Sequence, residues 1–201
     1  MEYVVCDAAE RNKEPILSRI APALSQTRRV LEIGSGTGTH ALFFSAALPH
    51  LSWQPSDTGD YLPALRERLR REGGANLLPV VELDVRDDPW HVEEVDAIYS
   101  ANTLHIMSWT SVQNFFAGAG RVLSKTGLLC IYGPFRYGER YTSDSNAKFD
   151  QFLQHRDPQS GLRDAHEVDR LALNQGLELT ADHAMPANNQ LRVWRRAHLK
   201  A

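Results

Sequence analysis

Val30-Leu31-Glu32-Ile33-Gly34-Ser35-Gly36-Thr37-Gly38-Thr39-His40 decides how the rest of the chain is read. The apolar run Val30 to Ile33 reads as a short buried strand. Glycines follow at Gly34, Gly36 and Gly38. A helical pattern then runs from Thr39 through Ala41, Leu42, Phe43, Phe44, Ala46, Ala47 and Leu48. Strand, glycine turn and helix together open a nucleotide-binding βαβ unit. Without Cβ, the glycines let the backbone turn sharply and bring a ligand against the main chain. The helix start beyond them offers unpaired N–H groups and a partial positive charge.

The loop fits two registers. Gly36-x-Gly38-x-x-Ala41 fits the dinucleotide pattern, with Ala as its third member. Glu32-x-Gly34-x-Gly36-x-Gly38 instead resembles the first motif of class I S-adenosylmethionine-dependent methyltransferases. There the loop holds the amino-acid end of the cofactor, and an acidic residue stands two before the first glycine. Both registers want an acid about 20 residues beyond the glycines, placed to accept from ribose hydroxyls. Asp57, at the end of the second strand Leu51 to Pro55, fills that place. Asp60 is the competing acid and suits an N-cap better.

Bulk properties bound the rest. The 201 residues suffice for one sizeable α/β domain. Hydrophobic residues make up 42% and charged residues 23%, the balance of a globular domain. A net charge of −3 gives no electrostatic case for nucleic acid, although a basic patch can sit on an acidic protein. The two cysteines, Cys6 and Cys130, build no disulfide framework. Cys130 lies in an apolar run and reads as a buried small hydrophobe. No apolar run reaches the ~18 residues of a membrane span. Met1-Glu2-Tyr3 lacks the pattern of a signal peptide. The expectation is a cytoplasmic protein with no bound metal.

Outward from the loop, Ile16, Leu17, Ile20 and Leu24 have helical spacing, with Pro15 in the first turn. Tyr61 to Glu72 reads as a solvated helix whose Arg66, Arg68, Arg70 and Arg71 alternate with glutamates. Leu77 to Leu83 is a third strand ending at Asp84, and Trp90-His91 starts a short helix. Val95 to Ser100 is a fourth strand. Thr110-x-x-Gln113 reads as a capping box opening a helix that buries Val112, Phe115, Phe116, Ala119 and Leu123. Gly127 to Tyr132 is a fifth strand, apolar enough for burial on both faces. The alternation predicts a doubly wound parallel sheet, with ligands at the C-terminal strand ends near the reversal of strand order. The glycine loop, Asp57, Asp84, Asn102 and His105 all fall there.

Beyond that lie a polar stretch, Gly138 to Asn146, readable as a lid or a plain surface loop, and a helix over Ala147 to Gln154. Asp164-x-x-Glu167 caps a helix that Gly176 stops. Leu177 to Met185 and Gln190 to Arg196 then form an antiparallel hairpin at the sheet edge. The fold class expected is therefore α/β, Rossmann-like, with seven strands, mostly parallel, the last antiparallel, as class I methyltransferases have.

A narrower resemblance follows. Ala9-Glu10-Arg11-Asn12-Lys13-x-Pro15-Ile16-Leu17, the glycine loop, Trp53-Gln54-Pro55-Ser56-Asp57, Asn102-x-x-His105-Ile106, Tyr132-Gly133-Pro134-Phe135, Gly161-Leu162-Arg163-Asp164 and Met185-Pro186-Ala187-Asn188-Asn189 together resemble the methyltransferase-like 26 family, also called domain of unknown function 938. The likeness runs almost the whole chain. One departure is Asn102-Thr103-Leu104-His105, where Asn-Met-Ile-His is the family's expected run. The resemblance implies a single S-adenosylmethionine-dependent methyltransferase domain over 1–201. Residues 1–28 would be an N-terminal cap segment, and 133–165 a substrate-side loop and helix.

It also implies roles. Glu32, Gly34, Gly36 and Gly38 would approach the methionine part of S-adenosylmethionine, and Asp57 would accept from the ribose. Asp84 would accept from the adenine amino group. Ala101 and Asn102 would line the floor below the sulfonium. Arg11 and Asn12 would reach the cofactor carboxylate or the substrate. His105 is the candidate base, since its ordinary pKa suits proton transfer near neutrality; its alternative is a hydrogen-bonded structural histidine. Tyr132, Tyr137, Tyr141 and Arg163 are candidates to line an acceptor pocket.

Three functions stay open on sequence. The first is methyl transfer to a small molecule. The second is a nicotinamide-dependent oxidoreductase, which should carry a Tyr-x-x-x-Lys or equivalent signature; Tyr99 and Tyr132 have Thr103 and Arg136 four residues on. The third is a non-catalytic cofactor-binding or assembly module of the same fold. The absence of an Asn-Pro-Pro-Tyr-like run after the fourth strand tilts the first reading away from nucleic acid.

Overall fold

The computed structural model of the chain describes residues 7–197; Met1 to Tyr3 and Cys6, named above, lie outside them. The elements in order are α1 (Asp7–Ala23), β1 (Arg29–Ile33), α2 (Thr39–Ala47), β2 (Ser52–Asp57), α3 (Leu62–Glu72), β3 (Val81–Glu82), β4 (Val95–Ala101), α4 (Trp109–Val122), β5 (Leu123–Gly133), β6 (Phe135–Tyr137), β7 (Arg140–Tyr141), α5 (Asp144–Arg156), β8 (Arg163–Asp164), α6 (Ala165–Asn174), β9 (Leu177–Met185) and β10 (Asn189–Arg196). A seven-stranded sheet has the order β3-β2-β1-β4-β5-β10-β9. β2, β1, β4 and β5 run parallel, and β10 runs antiparallel to both β5 and β9. The seven-stranded fold with an antiparallel last strand is the one expected. Strand order reverses between β1 and β4, which puts the ligand crevice above their C-terminal ends.

The sheet is covered on both faces, so its central strands are apolar on both. One face packs Ile16 and Ile20 of α1, Phe44 of α2 and Leu65 of α3 over Trp53 and Tyr99. The other packs Phe115 and Phe116 of α4 and Val168 of α6 over Ile98, Ile131 and Trp194. Each such side chain contributes about 1.5–3 kcal/mol on burial. Cys130 is buried as expected, and burial pushes its thiol up to about 12. Arg192 is 1% exposed. It donates twice to Asp169, at 2.8 Å each, and to Asp182 at 2.5 Å. The pairings tie α6 and β9 to β10, and removing one partner from such a set costs about 3–5 kcal/mol.

Several local expectations are corrected. α1 begins at Asp7, so Pro15 is an interior residue rather than a first-turn one. Asp7 and Glu10 favour the positive helix start, and Asn12, Ile16 and Ile20 on one buried face carry the helix past the missing amide. The third strand shrinks to Val81–Glu82, with Leu77 making one isolated bridge to Trp53. No helix starts at Trp90; its ring packs where a Cβ on Gly118 would lie 2.2 Å away. α4 is capped by Ser108, whose hydroxyl accepts from the Ser111 amide at 3.1 Å, rather than by Thr110. Asp60 sits inside a 3-10 turn, Gly59–Tyr61, and caps nothing. Asp164 does cap α6, accepting from His166 at 2.8 Å. The stretch 138–146 is ordered: it supplies β7 and the start of α5, capped by Ser143. With β6 and β8 it makes a second, three-stranded sheet. Among the described residues no helix is long and apolar enough to cross a membrane.

Candidate functional site

The glycine loop leaves β1 in left-handed backbone. Gly34, Gly36 and Gly38 have φ of 75°, 55° and 79°, a region in which other residues are strained. The amides of Gly34 and Ser35 both donate to the Ser56 carbonyl, at 3.1 and 2.9 Å. A Cβ on Gly34 would lie 2.5 Å from Thr103 Cγ2, and one on Gly38 2.7 Å from Leu69, so two glycines are fixed from below. A Cβ on Gly36 would meet nothing within 4 Å. That glycine faces open space on the side where a Cβ would stand, which a ligand could occupy.

Asp57 ends β2 beside the loop. Its Oδ2 accepts from the Gly36 amide at 2.6 Å and its Oδ1 from Thr58 at 2.8 Å. One lone pair on each oxygen is left for further donors. Glu32 lies deeper. It is 2% exposed and accepts from the Trp53 indole at 2.9 Å. Burial, reinforced by the charge of Asp57, pushes its carboxyl up to about 7 against the hydrogen bonds from Trp53 and Ser35. Glu32 therefore props the loop from beneath.

A cleft of about 270 Å³ opens in front of the loop, lined by Gly34, Asp57, Asp84, Thr103, Ile106 and Met107 among others. Asp84 does reach it, but in partnership: Arg86 donates to both carboxylate oxygens, and this holds the carboxyl below its usual range. Ala101 ends β4 and Asn102 follows it; neither lines this cleft, whose nearest lining neighbour in sequence is Thr103. Asn102 has φ 57° and donates its amide to the Tyr132 carbonyl at 2.8 Å. Strain of this kind, about 1–3 kcal/mol, persists only where the surroundings over-determine it.

The two α1 candidates part company. Arg11 is exposed, with no bond among the described residues. Asn12 is buried, and its side chain is spent within the protein. Its Oδ1 accepts from His40 Nε2 at 2.7 Å, and it bonds to Tyr132. The Tyr99 hydroxyl meets His40 Nδ1 at 3.2 Å. Burial pushes His40 down to about 4, so it is neutral. Tyr132, expected in an acceptor pocket, is instead 3% exposed and belongs to this buried chain of bonds.

His105 sits on the loop after β4 and is 7% exposed. No hydrogen bond engages its ring among the described residues. Phe149 of α5 packs edge-on at 5.5 Å, and a Cβ on Gly133 would lie 3.7 Å from its Nδ1. Burial, with Arg163 and Arg156 nearby, pushes it down to about 4. The loop itself is clamped. Four successive carbonyls bond to residues 160–163: Leu104 to Arg163 Nε at 3.0 Å, His105 to the Gly161 amide at 2.9 Å, Ile106 to Ser160 Oγ at 3.2 Å, and Met107 to Arg163 Nη2.

Sequence reasoning missed several of these parts. Arg68, read as part of a solvated face, donates to the Thr37 carbonyl at 2.8 Å and braces the glycine loop. Ser100 Oγ donates to the Ile33 carbonyl at 2.8 Å and meets Thr103 Oγ1 at 2.6 Å; only the polar departure at Thr103 marked this in sequence. The clamp from Ser160 to Arg163 links two quoted motifs whose contact no local pattern announces. A further depression of about 540 Å³, bordered by Trp109, Arg136 and Arg163, lies on the far side of the same segment.

The fold is that of methyltransferases. An O-methyltransferase family protein from Burkholderia thailandensis superposes with TM-score 0.81 at 16% identity, covering 96% of this chain and 59% of that one. Human N-acetylserotonin methyltransferase, in complex with SAM, superposes with TM-score 0.76 at 15% identity, covering 93% and 52%. In sequence, rice (Oryza sativa subsp. japonica) 2-methyl-6-phytyl-1,4-hydroquinone methyltransferase 1, chloroplastic, is 27% identical over 106 residues, 53% of this chain and 31% of that protein. The chain thus spans between about a third and three-fifths of these relatives' length. One family profile, described as Protein of unknown function (DUF938), matches residues 4–196, and the chain belongs to that family.

Proposed function

We propose that the chain is an S-adenosylmethionine-dependent methyltransferase acting on a small-molecule acceptor, and that within DUF938 it groups with the methyltransferase-like 26 proteins. The observation that carries this reading is the meeting, at the reversal of strand order, of an open glycine cradle at Gly36 and the Asp57 carboxylate. The fold's likeness to the human enzyme that holds SAM supports it.

The residues fit that cofactor. Gly34, Gly36 and Gly38 admit its amino-acid end against the main chain. Glu32, buried beneath the loop, serves the cofactor by holding the glycines in place from below. Asp57 has free lone pairs for two ribose hydroxyls, and Asp84 borders the adenine end with Arg86. Ala101 and strained Asn102 form the floor under the sulfonium. Asn12 acts through His40 and Tyr132 to seat α1 over the loop, and Arg11, exposed and unbonded among the described residues, offers a cation beside it. When bound, the cofactor supplies a sulfonium methyl carbon that bonds to the acceptor as its C–S bond breaks and the electron pair stays on sulfur. The protein's share is alignment and exclusion of water. His105, neutral at physiological pH and with no hydrogen bond on its ring among the described residues, takes the acceptor's proton where one must leave. Residues 133–165 are the acceptor side.

Calorimetric titration with S-adenosylmethionine, S-adenosylhomocysteine, NADH and NADPH tests the reading. Binding of the two sulfur nucleotides alone is expected. Binding of the nicotinamides alone would overturn it in favour of an oxidoreductase, and binding of none in favour of a non-catalytic module.

A further inference from the structure

Large apolar side chains left in water gather where something else covers them. Seven are exposed among the described residues, and Leu173 and Leu179 are the two that lie away from the site. The other five are Tyr61, Ile106, Tyr141, Phe149 and Phe152. Tyr61 and Ile106 line the cleft. Phe149 packs on His105, and Phe152 stacks on Phe149 with centroids 6.4 Å apart and planes 16° from parallel. Tyr141 bonds to Asp150 of the same helix at 2.7 Å.

The spacing on α5 gives the patch a direction. Phe149, Phe152 and Arg156 stand at i, i+3 and i+7, one stripe of a helix. Two aromatic rings are followed by a guanidinium. The charges that act on His105 are Arg163 and Arg156, both cations. Asp150 of α5, one residue after Phe149, is turned inward. It is 3% exposed and accepts from the Leu162 amide, the Tyr141 hydroxyl and Gln154. The field beside His105 is therefore positive and the walls are aromatic.

Resting on the methyltransferase reading above, we infer that the acceptor is a planar apolar molecule carrying an acidic oxygen, seated on the Phe149–Phe152–Arg156 stripe of α5 beside Ile106 and His105. Flat rings match Phe149 and Phe152 by stacking. An oxygen anion is drawn to the two guanidiniums, whereas a cationic amine is repelled. The weak basicity of buried His105 fits the same class, because an acidic oxygen, ionised before or during methyl transfer, asks far less of a weak base than an alcohol does. With a phenol, the proton passes to His105 or water as the new C–O bond forms; with a carboxylate, no proton needs to move.

The test is binding, so it does not wait for turnover. The probes are 2-naphthol, 2-naphthoate and 2-(aminomethyl)naphthalene, titrated by calorimetry into the full chain with and without S-adenosylhomocysteine. The expected result is that 2-naphthol, 2-naphthoate or both bind, and that the amine binds at least tenfold more weakly. Binding of 2-naphthol alone identifies the acid as phenolic, and of 2-naphthoate alone as carboxylic. Phe149→Ala and Phe152→Ala, both at partly exposed positions, should each weaken binding about fivefold or more. Arg156→Gln should weaken 2-naphthoate selectively. An amine bound as tightly as the acids, binding indifferent to these variants, or no binding of either acid would overturn the inference. So would sedimentation showing the Phe149–Phe152 face buried in a self-associated species that the probes do not compete with. Loss of S-adenosylhomocysteine binding, measured in the same series, would count against the methyltransferase reading and leave the probe result standing separately.

Discussion

Asp57 Oδ2 accepts the Gly36 amide at 2.6 Å, so the acid expected to meet the ribose also fixes the curvature of the glycine loop. Asp57→Ala should therefore act twice. It leaves a loop amide unpaired, a cost of about 1–3 kcal/mol, and each kcal/mol lowers Tm by about 2–4 °C in a domain of this size. It should also weaken S-adenosylmethionine by about a hundredfold, two lost charged hydrogen bonds at about 1.5 kcal/mol each. Calorimetry beside a thermal melt separates the two; a drop in Tm with unchanged affinity would remove Asp57 from the ribose.

Gly34 meets Thr103 through a single methyl. Gly34→Ala should destabilise by the left-handed backbone cost of about 1–2 kcal/mol plus the overlap with Thr103 Cγ2. Thr103→Ser removes that methyl and keeps the hydroxyl that meets Ser100. The double variant should recover the overlap but not the backbone cost. A denaturant-based double-mutant cycle reads this as positive coupling, and strict additivity would show that the contact plays no part.

Glu32 predicts a pH dependence of stability. Its folded pKa of about 7 lies above the ordinary 4.5. Between those values the folded state binds the proton and the unfolded state does not. Stability therefore falls as pH rises through that window, by at most about 3.5 kcal/mol at about 1.4 kcal/mol per unit. Glu32→Gln, which keeps an acceptor for Trp53, should abolish this fall and gain Tm over the wild type at pH 8 but not at pH 4.5. Parallel melts of both proteins across pH decide it.

His105 carries the opposite sign. Its pKa of about 4 lies below the ordinary 6.5, so the unfolded state binds more protons in that window. Its contribution to stability is present above pH 6.5 and is lost as pH falls towards 4. For the same reason the acid limb of kcat/KM should lie near pH 4–5. Replacement of His105 by Asn should cost about 10²–10⁴ in kcat. Cofactor affinity should be unchanged; wild-type turnover would make His105 structural.

Arg163 should be separable into charge and clamp. Arg163→Met removes a cation from beside His105 and should raise the ring's pKa, read directly by NMR titration of the His105 side chain. Arg163→Lys keeps the charge, and hence the low pKa, but loses the pair of bonds to Leu104 and Met107. It should lower kcat while sparing cofactor affinity. Equal pKa values in all three proteins would deny Arg163 any electrostatic hold on His105.

What the sequence disclosed follows from range. Apolar periodicity and glycine punctuation are local, so Val30 to Leu48 gave strand, loop and helix, and Leu177 to Arg196 gave the edge hairpin. Asp57 was legible because its distance from the loop is set by one βα unit. Trp90 was misread because its burial depends on a gap at Gly118, far along the chain. Pro15 was misplaced because the buried face of α1 outweighs one missing amide. His40, Asn12 and Tyr132 come from three elements, and their bonds arise only once the sheet is assembled. The Ser160–Arg163 clamp acts on carbonyls, which carry no residue identity for a motif to reveal.

β10 lies between β5 and β9, inside the sheet, although it is the last strand of the described chain. During synthesis, therefore, the strands from β1 to β5 emerge with one edge of β5 unsatisfied. That edge stays open until some sixty further residues have left the ribosome. β9 emerges before its partner and has no neighbour to dock on. The segment between β5 and β9, with its second small sheet and two helices, must thus be spooled out and folded back before the sheet can seal. Nascent chains arrested short of Asn189 would present a sticky β5 edge, a substrate for chaperones rather than a half-built domain.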